Sequence, residues 1–452
     1  MANYYVSTTG NNANAGTTEG AAWLTPAYAL SKIVDGTIVE GDRIRILTGT
    51  YTLAAGLNFT KRFTAYVYFE AFGPGTPAVI DANGEAVVLH MQASYFWIDG
   101  ITFQNAATTG IEMEACNYCK ITRCIIQDTP IGIDGGSVDG SSNGHDNEIW
   151  GCLITDGAGD GFTCGSCHGW RIHNNEVSFR GISAGSLIVD GFAFHGSLDS
   201  MNYVYRNYIH DIEGKAAIST ATLGGNAGSI LTVFGNVIVS VTYAGILGVG
   251  AATAITAHNN IIVMDGRYST AGGGILETAS SNINAWANTI YNDSDRTDVP
   301  SLLTSSGGSL LNNISYARST KAVHLDYQGT SAATSDNNLY YPDDTTADLA
   351  LGRFIFSTVY MQFAAYKTAS SQDAASVSSD PLLASTTYAN PDSARITAGS
   401  PAINAGFDIS VAGITMDFQG NSRPSGAWDI GAHHYWDGEA RSVKPWLMSS
   451  GG

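Results

Sequence analysis

The stretch "DGFTCGSCHG" at 160–169 is echoed by "DGFAFHG" at 190–196, and "HDIEG" follows at 210–214. An acid beside a glycine therefore recurs at Asp160, Asp190 and Glu213, with Asp211 just ahead of the last. Carboxylates on neighbouring chain segments repel unless they are protonated, hydrated or bridged by a cation. Ca²⁺ takes carboxylate, carbonyl and water oxygens, so Asp160, Asp190, Asp211 and Glu213 read as a calcium set. The same acids also suit proton transfer, because hydrolysis of a glycosidic bond needs two carboxylates flanking it. Asp160 with Asp190, or Asp134 with Asp160, would be that pair. The competing reading is that Asp-Gly is a common turn dipeptide.

The elements that must hold these acids repeat along the chain. From residue 96 onward short β-prone runs recur, among them "FWIDGITFQ", "KITRCIIQD", "WRIHNNEVSF", "ITAHNNIIVM" and "TSDNNLYYP". Aligned, they put Gly100, Cys124, Cys152, Asn175, Asn207, Asn236, Asn260, Asn288, Asn313 and Asn338 in one column. Strands and glycine turns fill every unit and helical periodicity is absent, which predicts a right-handed parallel β-helix of about ten coils. In that fold the Asn amides bond to the coils above and below. Exposed terminal strands invite growth, so caps are expected. Residues 1–95 are read as an N-terminal cap with the first coils, 96–345 as the coils, and 346–452 as a C-terminal cap, all in one continuous domain. Helices are predicted within "AYALSKIV" and "TVYMQFAAYKTAS".

Reading "DGFAFHG" as a turn entering a strand points Phe192 and Phe194 inward and Gly191, Ala193 and His195 outward, beside the acids. His195 and Lys215 are then the local bases, and Arg180 is placed to grip a carboxylate bidentately. His145 overhangs the acidic corner. Tyr203 and Tyr205, with Tyr208, alternate along one strand and offer faces to sugar rings. "CNYC" and "CGSC" suggest a zinc site of Cys116, Cys119, Cys164 and Cys167. The two pairs fall two coils apart, ~10 Å, so local disulfides or free thiols come ahead of zinc.

The chain has 452 residues, 44% hydrophobic and 13% charged, with 52 glycines. Its net charge of -19 argues against nucleic acid or an anionic membrane as partner. No apolar run is long enough for a membrane span, and "MANYYVSTTGNN" lacks the basic and apolar regions of a secretory signal. The expected setting is extracellular or virion-associated, as a monomer or homotrimer.

The opening "YYVSTTGNNANAGTTEGAAWLTPAYAL…GDRIRILTGTYT", the segment "QDAASVSSDPLL" and the closing "GSPAINAG…DIGAHHYW" resemble the framing segments of bacterial and phage right-handed β-helix proteins. Many of those are polysaccharide lyases, epimerases or depolymerases. "DGFAFHG…HDIEG" is similar to the "DGFAAK…NNSDDGWD" pattern of family 9 polysaccharide lyases, which hold calcium with these acids and cleave pectate by β-elimination. The resemblance implies that Asp190, with Asp211 and Glu213 nearby, binds calcium. It also implies a lysine base in "TYAGILGVGAAT", which contains none. The leading expectation is a calcium-assisted lyase of an acidic glycan such as pectate or alginate. The alternatives are a tailspike-type hydrolase and a non-catalytic carbohydrate-binding adhesin.

Overall fold

The computed structural model describes residues 1–436 except 76, 137–143, 166, 180–188, 196–200, 222–229, 242, 251–253, 265–272, 279–281, 294–299, 305–306, 318–322, 328–333, 343–351, 355–361 and 427. The chain divides into two compact units. The first is Met1–Ser183 with Ile188–Tyr203, and the second is Ala184–Leu187 with Val204–Gly452. Each is a stretch of parallel β-helix with three strand-bearing faces, as the repeat predicts.

In the first unit, face one runs from Arg43–Leu47 to Arg171–His173. Face two runs from Gly49–Thr52 to Glu176–Phe179. Face three runs from Val87–Asp99 through Thr109–Met113, Ile131–Asp134 and Phe162–Cys164 to Asp190–His195. Residues 43–81 are rungs of the stack, and the coil count departs slightly from the ten expected. Ahead of them the helix Pro26–Val34 forms where it is predicted, with Thr25 capping it through the Tyr28 N–H.

The polar column is a hydrogen-bonded ladder. Asn288 Oδ1 accepts from the backbone N–H of Asn260 on the preceding rung, and Asn288 Nδ2 donates to Ala257 O. Asn236, Asn260 and Asn313 repeat the arrangement. Every ladder residue follows one in the left-handed region, such as Arg123, Asn174, Asn259 and Asn312. Gly100 takes that left-handed place at φ 71°, so the ladder residue of its rung is Ile101 and not Gly100.

The recurring glycine has a steric cause. On face three, Gly110, Gly132, Gly161 and Gly191 stack, each followed by a buried Ile or Phe. A Cβ on Gly132 would lie 2.5 Å from Gly161 O and 2.5 Å from Ile154 Cγ2. The next rung's carbonyl leaves no room for a methyl group, so the "Gly-Phe" echo is a packing requirement. Gly132→Ala is expected to cost about 3 kcal/mol, read as a lower urea midpoint at unchanged slope.

In the second unit, face two runs from Tyr208–Ile212 to Val377–Ser378. Its outward columns are apolar: Val237, Ile261 and Ile314 in one, Val263, Tyr291 and Tyr316 in the other. The C-terminal chain buries them, through Ala394, Ile396, Ala402, Phe418 and Ile430. Left-handed Asn259, Asn312 and Asn337 donate their amides to Met416 O, Phe407 O and Ala405 O. The region expected to close the last coil therefore lies along the side of the stack. The helix Phe363–Ser370 falls inside its predicted segment.

Burial holds two histidines of this unit neutral. His324, 1% exposed, and His433, 2% exposed, are both pushed down to about 4 by burial. Unfolding lets each take a proton at its ordinary value near 6.5, so the unfolded chain binds more protons between pH 6.5 and 4. Their contribution to stability is complete above pH 6.5 and is lost as the pH falls to 4, by up to about 3 kcal/mol each. Urea midpoints taken across that window check this, with His324→Asn flattening the curve.

Candidate functional site

The structure places the sequence-predicted acids in different settings. Asp160 and Asp190 are in register in the first unit, where Asp160 Oδ1 accepts the Asp190 backbone N–H at 2.7 Å. Asp190 is 2% exposed, so its carboxylate belongs to the packed wall and not to an open corner. Phe192 and Phe194 point inward as predicted, but Ala193 is also fully buried. His195 closes the strand that Asp190 opens, five residues on and so ~16 Å away, which corrects its expected place beside the acids.

Asp211, Glu213 and Lys215 belong to the second unit. Asp211 Oδ2 pairs with His210 Nδ1 at 2.8 Å. Glu213 stands three residues ahead of its strand, Ala216–Ala221, and so does not take the place that Asp190 has in its own. Lys215 is half-buried, and Arg180 lies outside the described residues. Among the described residues no three His, Cys, Asp or Glu side chains converge to hold a metal ion. No chemical step is routed through a calcium ion.

Cys164 and Cys167 form a disulfide, leaving Cys116 and Cys119 as buried thiols. Cys124 and Cys152 are buried packing residues of the ladder.

The first unit does bring two carboxylates together. On face three the outward column runs His90, Glu112, Asp134, Thr163, with Glu112 and Asp134 in direct register on adjacent strands. Strand spacing puts their backbones ~4.8 Å apart with side chains on the same side. Both are half-buried. Burial pushes the Asp134 carboxyl up, the Gly136 N–H bonded to its Oδ1 at 2.9 Å works against this, and the charge of Glu112 adds to the rise. One rung edge away, Glu114 Oε2 takes bonds from Gln92 Nε2 at 2.6 Å and His90 Nε2 at 3.1 Å. The result is one acid biased toward protonation next to a second carboxylate on a polar surface.

Sequence offers Asp160 as a partner for Asp134, but the register partners of Asp134 are Glu112 and Thr163. The signal for Glu112 was present in "GIE" (110–112), "GID" (132–134), "GFT" (161–163) and "GFA" (191–193). In each triplet the glycine and the apolar residue are fixed by packing, and in the first three the third residue faces outward.

His145 does not overhang the acids. It registers with His168, beyond the far end of the strand that Asp160 precedes, and meets the Tyr118 ring edge-on at 5.0 Å. Tyr203 and Tyr205 are outward and half-buried, with Tyr205 stacked on Phe234 at 4.8 Å. Tyr208 is not on their strand, because left-handed Arg206 turns the chain first.

Comparison with known proteins agrees with this architecture. Residues 80–262 match the family model described as right handed beta helix region. The fold is a right-handed β-helix. A pectate lyase, Pel9A, has a similar structure, with 17% identity, 96% of each chain covered and a TM-score of 0.53. XylC in complex with xylose shares 11% identity over 96% of this chain and 98% of its own, TM-score 0.55. The tailspike protein of E. coli bacteriophage HK620, bound to a pentasaccharide, shares 12% over 73% and 66%, TM-score 0.53. No curated protein matches the chain in sequence. Among the described residues no helix is long and apolar enough to cross a membrane.

Proposed function

We propose that the protein hydrolyses a polysaccharide with Glu112 and Asp134 as its two carboxylates. The observation that carries the reading is their register on adjacent strands, with the carboxyl of Asp134 raised by burial and by Glu112. Retaining glycosidases hold their two carboxyl groups about 5–5.5 Å apart, close to one strand spacing. Asp134, protonated, gives its proton to the glycosidic oxygen as Glu112 attacks the anomeric carbon and the leaving sugar departs. Water then attacks that carbon, giving its proton to Asp134 and freeing Glu112. Support for a glycan comes also from the fold's presence in a pectate lyase, a xylose complex and a pentasaccharide-bound tailspike. Such a substrate is met outside the cell or on a virion.

The test is cleavage of pectate, alginate and bacterial surface glycans, each with calcium and with chelator. Hydrolysis releases reducing ends with no ultraviolet-absorbing product and proceeds in chelator. A calcium-dependent unsaturated product would instead make the protein a lyase and set the acid pair aside. Because Asp134 must be protonated and its carboxyl is raised, the rate falls as pH rises through its titration and not at the usual carboxylate range.

A further inference from the structure

We propose that face one of the first unit, with the aromatic step at its edge, is a binding surface for an acidic glycan chain, distinct from the carboxylate pair. The proposal rests on the glycan reading but not on Glu112 or Asp134 being catalytic.

Two observations carry it. The first is strain kept on the surface. Ser94, Asn117, His145 and His168 are in register, and the next residue on each rung is left-handed: Tyr95 at φ 54°, Tyr118 at 56°, Asp146 at 56° and Gly169 at 69°. Glycine fills that place without cost on the last rung, whereas a bulky side chain there costs on the order of 1 kcal/mol or more. Tyr95 and Tyr118 nonetheless occupy it, with rings 4.9 Å apart and 18° from parallel, and Tyr118 is 38% exposed. Tyr66 meets Tyr95 at 5.5 Å and Trp97 at 5.7 Å, extending the aromatic surface onto the strands. Tyr118 also contacts the surface residues Asp146 and His145.

The second is charge. The chain has 40 acids against 21 bases. On face one the two are level. Arg43, Arg45, Lys120 and Arg171 take outward strand positions against Glu70, Asp99 and Glu148. The flanking turns add Arg62 and Arg123 against Glu40, Asp42 and Asp146. Arg43 and Arg45 pair with Glu70, Lys120 with Glu148 and Arg123 with Asp99, and Arg171 is exposed. Lys120 Nζ lies 5.2 Å from the Trp97 ring centroid, so cation and ring share one surface.

Flat rings with a negative face suit the partly positive axial C–H groups of a pyranose, and cations suit its carboxylate or sulfate. A sugar unit advances by about one strand spacing, ~4.8 Å, so consecutive rungs present consecutive rings and cations to one chain.

The experiment is affinity electrophoresis of the full chain through gels holding pectate, alginate, dextran sulfate or uncharged dextran, with Asp134→Asn present to keep the polymers intact. Retention by at least one acidic polymer, lost at high salt, and none by dextran is expected. Combined Tyr95→Gly and Tyr118→Gly lowers that retention at least tenfold while the melting temperature stays level or rises, because glycine relaxes both left-handed positions. Arg171→Glu, an exposed change, weakens it as well. Absence of retention on all three acidic polymers, equal retention on dextran, or retention unchanged in both variants would overturn the proposal. Loss of binding with cleavage intact, or the converse, separates this surface from the catalytic reading.

Discussion

Glu112→Gln and Asp134→Asn each lower glycan cleavage by about 10³-fold or more, with melting temperature and retention on acidic gels unchanged. The size follows from what each group does. Removing the proton donor forfeits general acid catalysis, worth about 10²–10⁴, and removing the partner carboxylate forfeits the covalent route. Both side chains face outward and half-buried, so the amide isosteres fit without a cavity. The two variants differ in pH behaviour. Asp134→Asn removes the alkaline limb with the residue that causes it. Glu112→Gln removes a negative neighbour and so brings the Asp134 carboxyl down toward its ordinary range. Equal activity of wild type and both variants, at any pH, is incompatible with the pair as the reaction centre.

Asn288→Ala is the expected largest loss of stability. Asn288 is fully buried and its amide serves four groups: the Asn260 backbone N–H, the Asn260 side chain, the Ala257 carbonyl and the Asn313 side chain. Truncation leaves a buried donor and acceptor unpaired, each costing about 1–3 kcal/mol. The expected loss is about 4 kcal/mol, or roughly 10 °C in Tm for a unit of this size. A drop below about 1 kcal/mol would mean that water replaces the amide and that the ladder is decoration.

The ladder was legible in sequence because its cause is local and periodic. From Asn175 onward one Asn per rung, after a residue able to go left-handed, marks the same turn each time. The β-helix itself and its inward phenylalanines follow from the same repeat. The acids were harder to read because the Asp-Gly echo carries a structural signal that resembles a functional one. Its glycine is set by the next rung's carbonyl, and Asp160 spends its oxygen on the Asp190 N–H. The register that joins Glu112 to Asp134 depends on rung lengths, which vary from 22 to 30 residues between successive Gly110, Gly132, Gly161 and Gly191. The aromatic step is invisible to an alternation pattern, since Tyr95 and Tyr118 sit at turns and show their role only through φ and stacking.

The pairing of Glu112 with Asp134 at one strand spacing makes a stereochemical claim, which proton NMR of the first-formed reducing end tests most directly. The account predicts a product whose anomeric configuration matches that of the cleaved bond, appearing before mutarotation. An inverted anomer, or an unsaturated end on the other fragment, would contradict it.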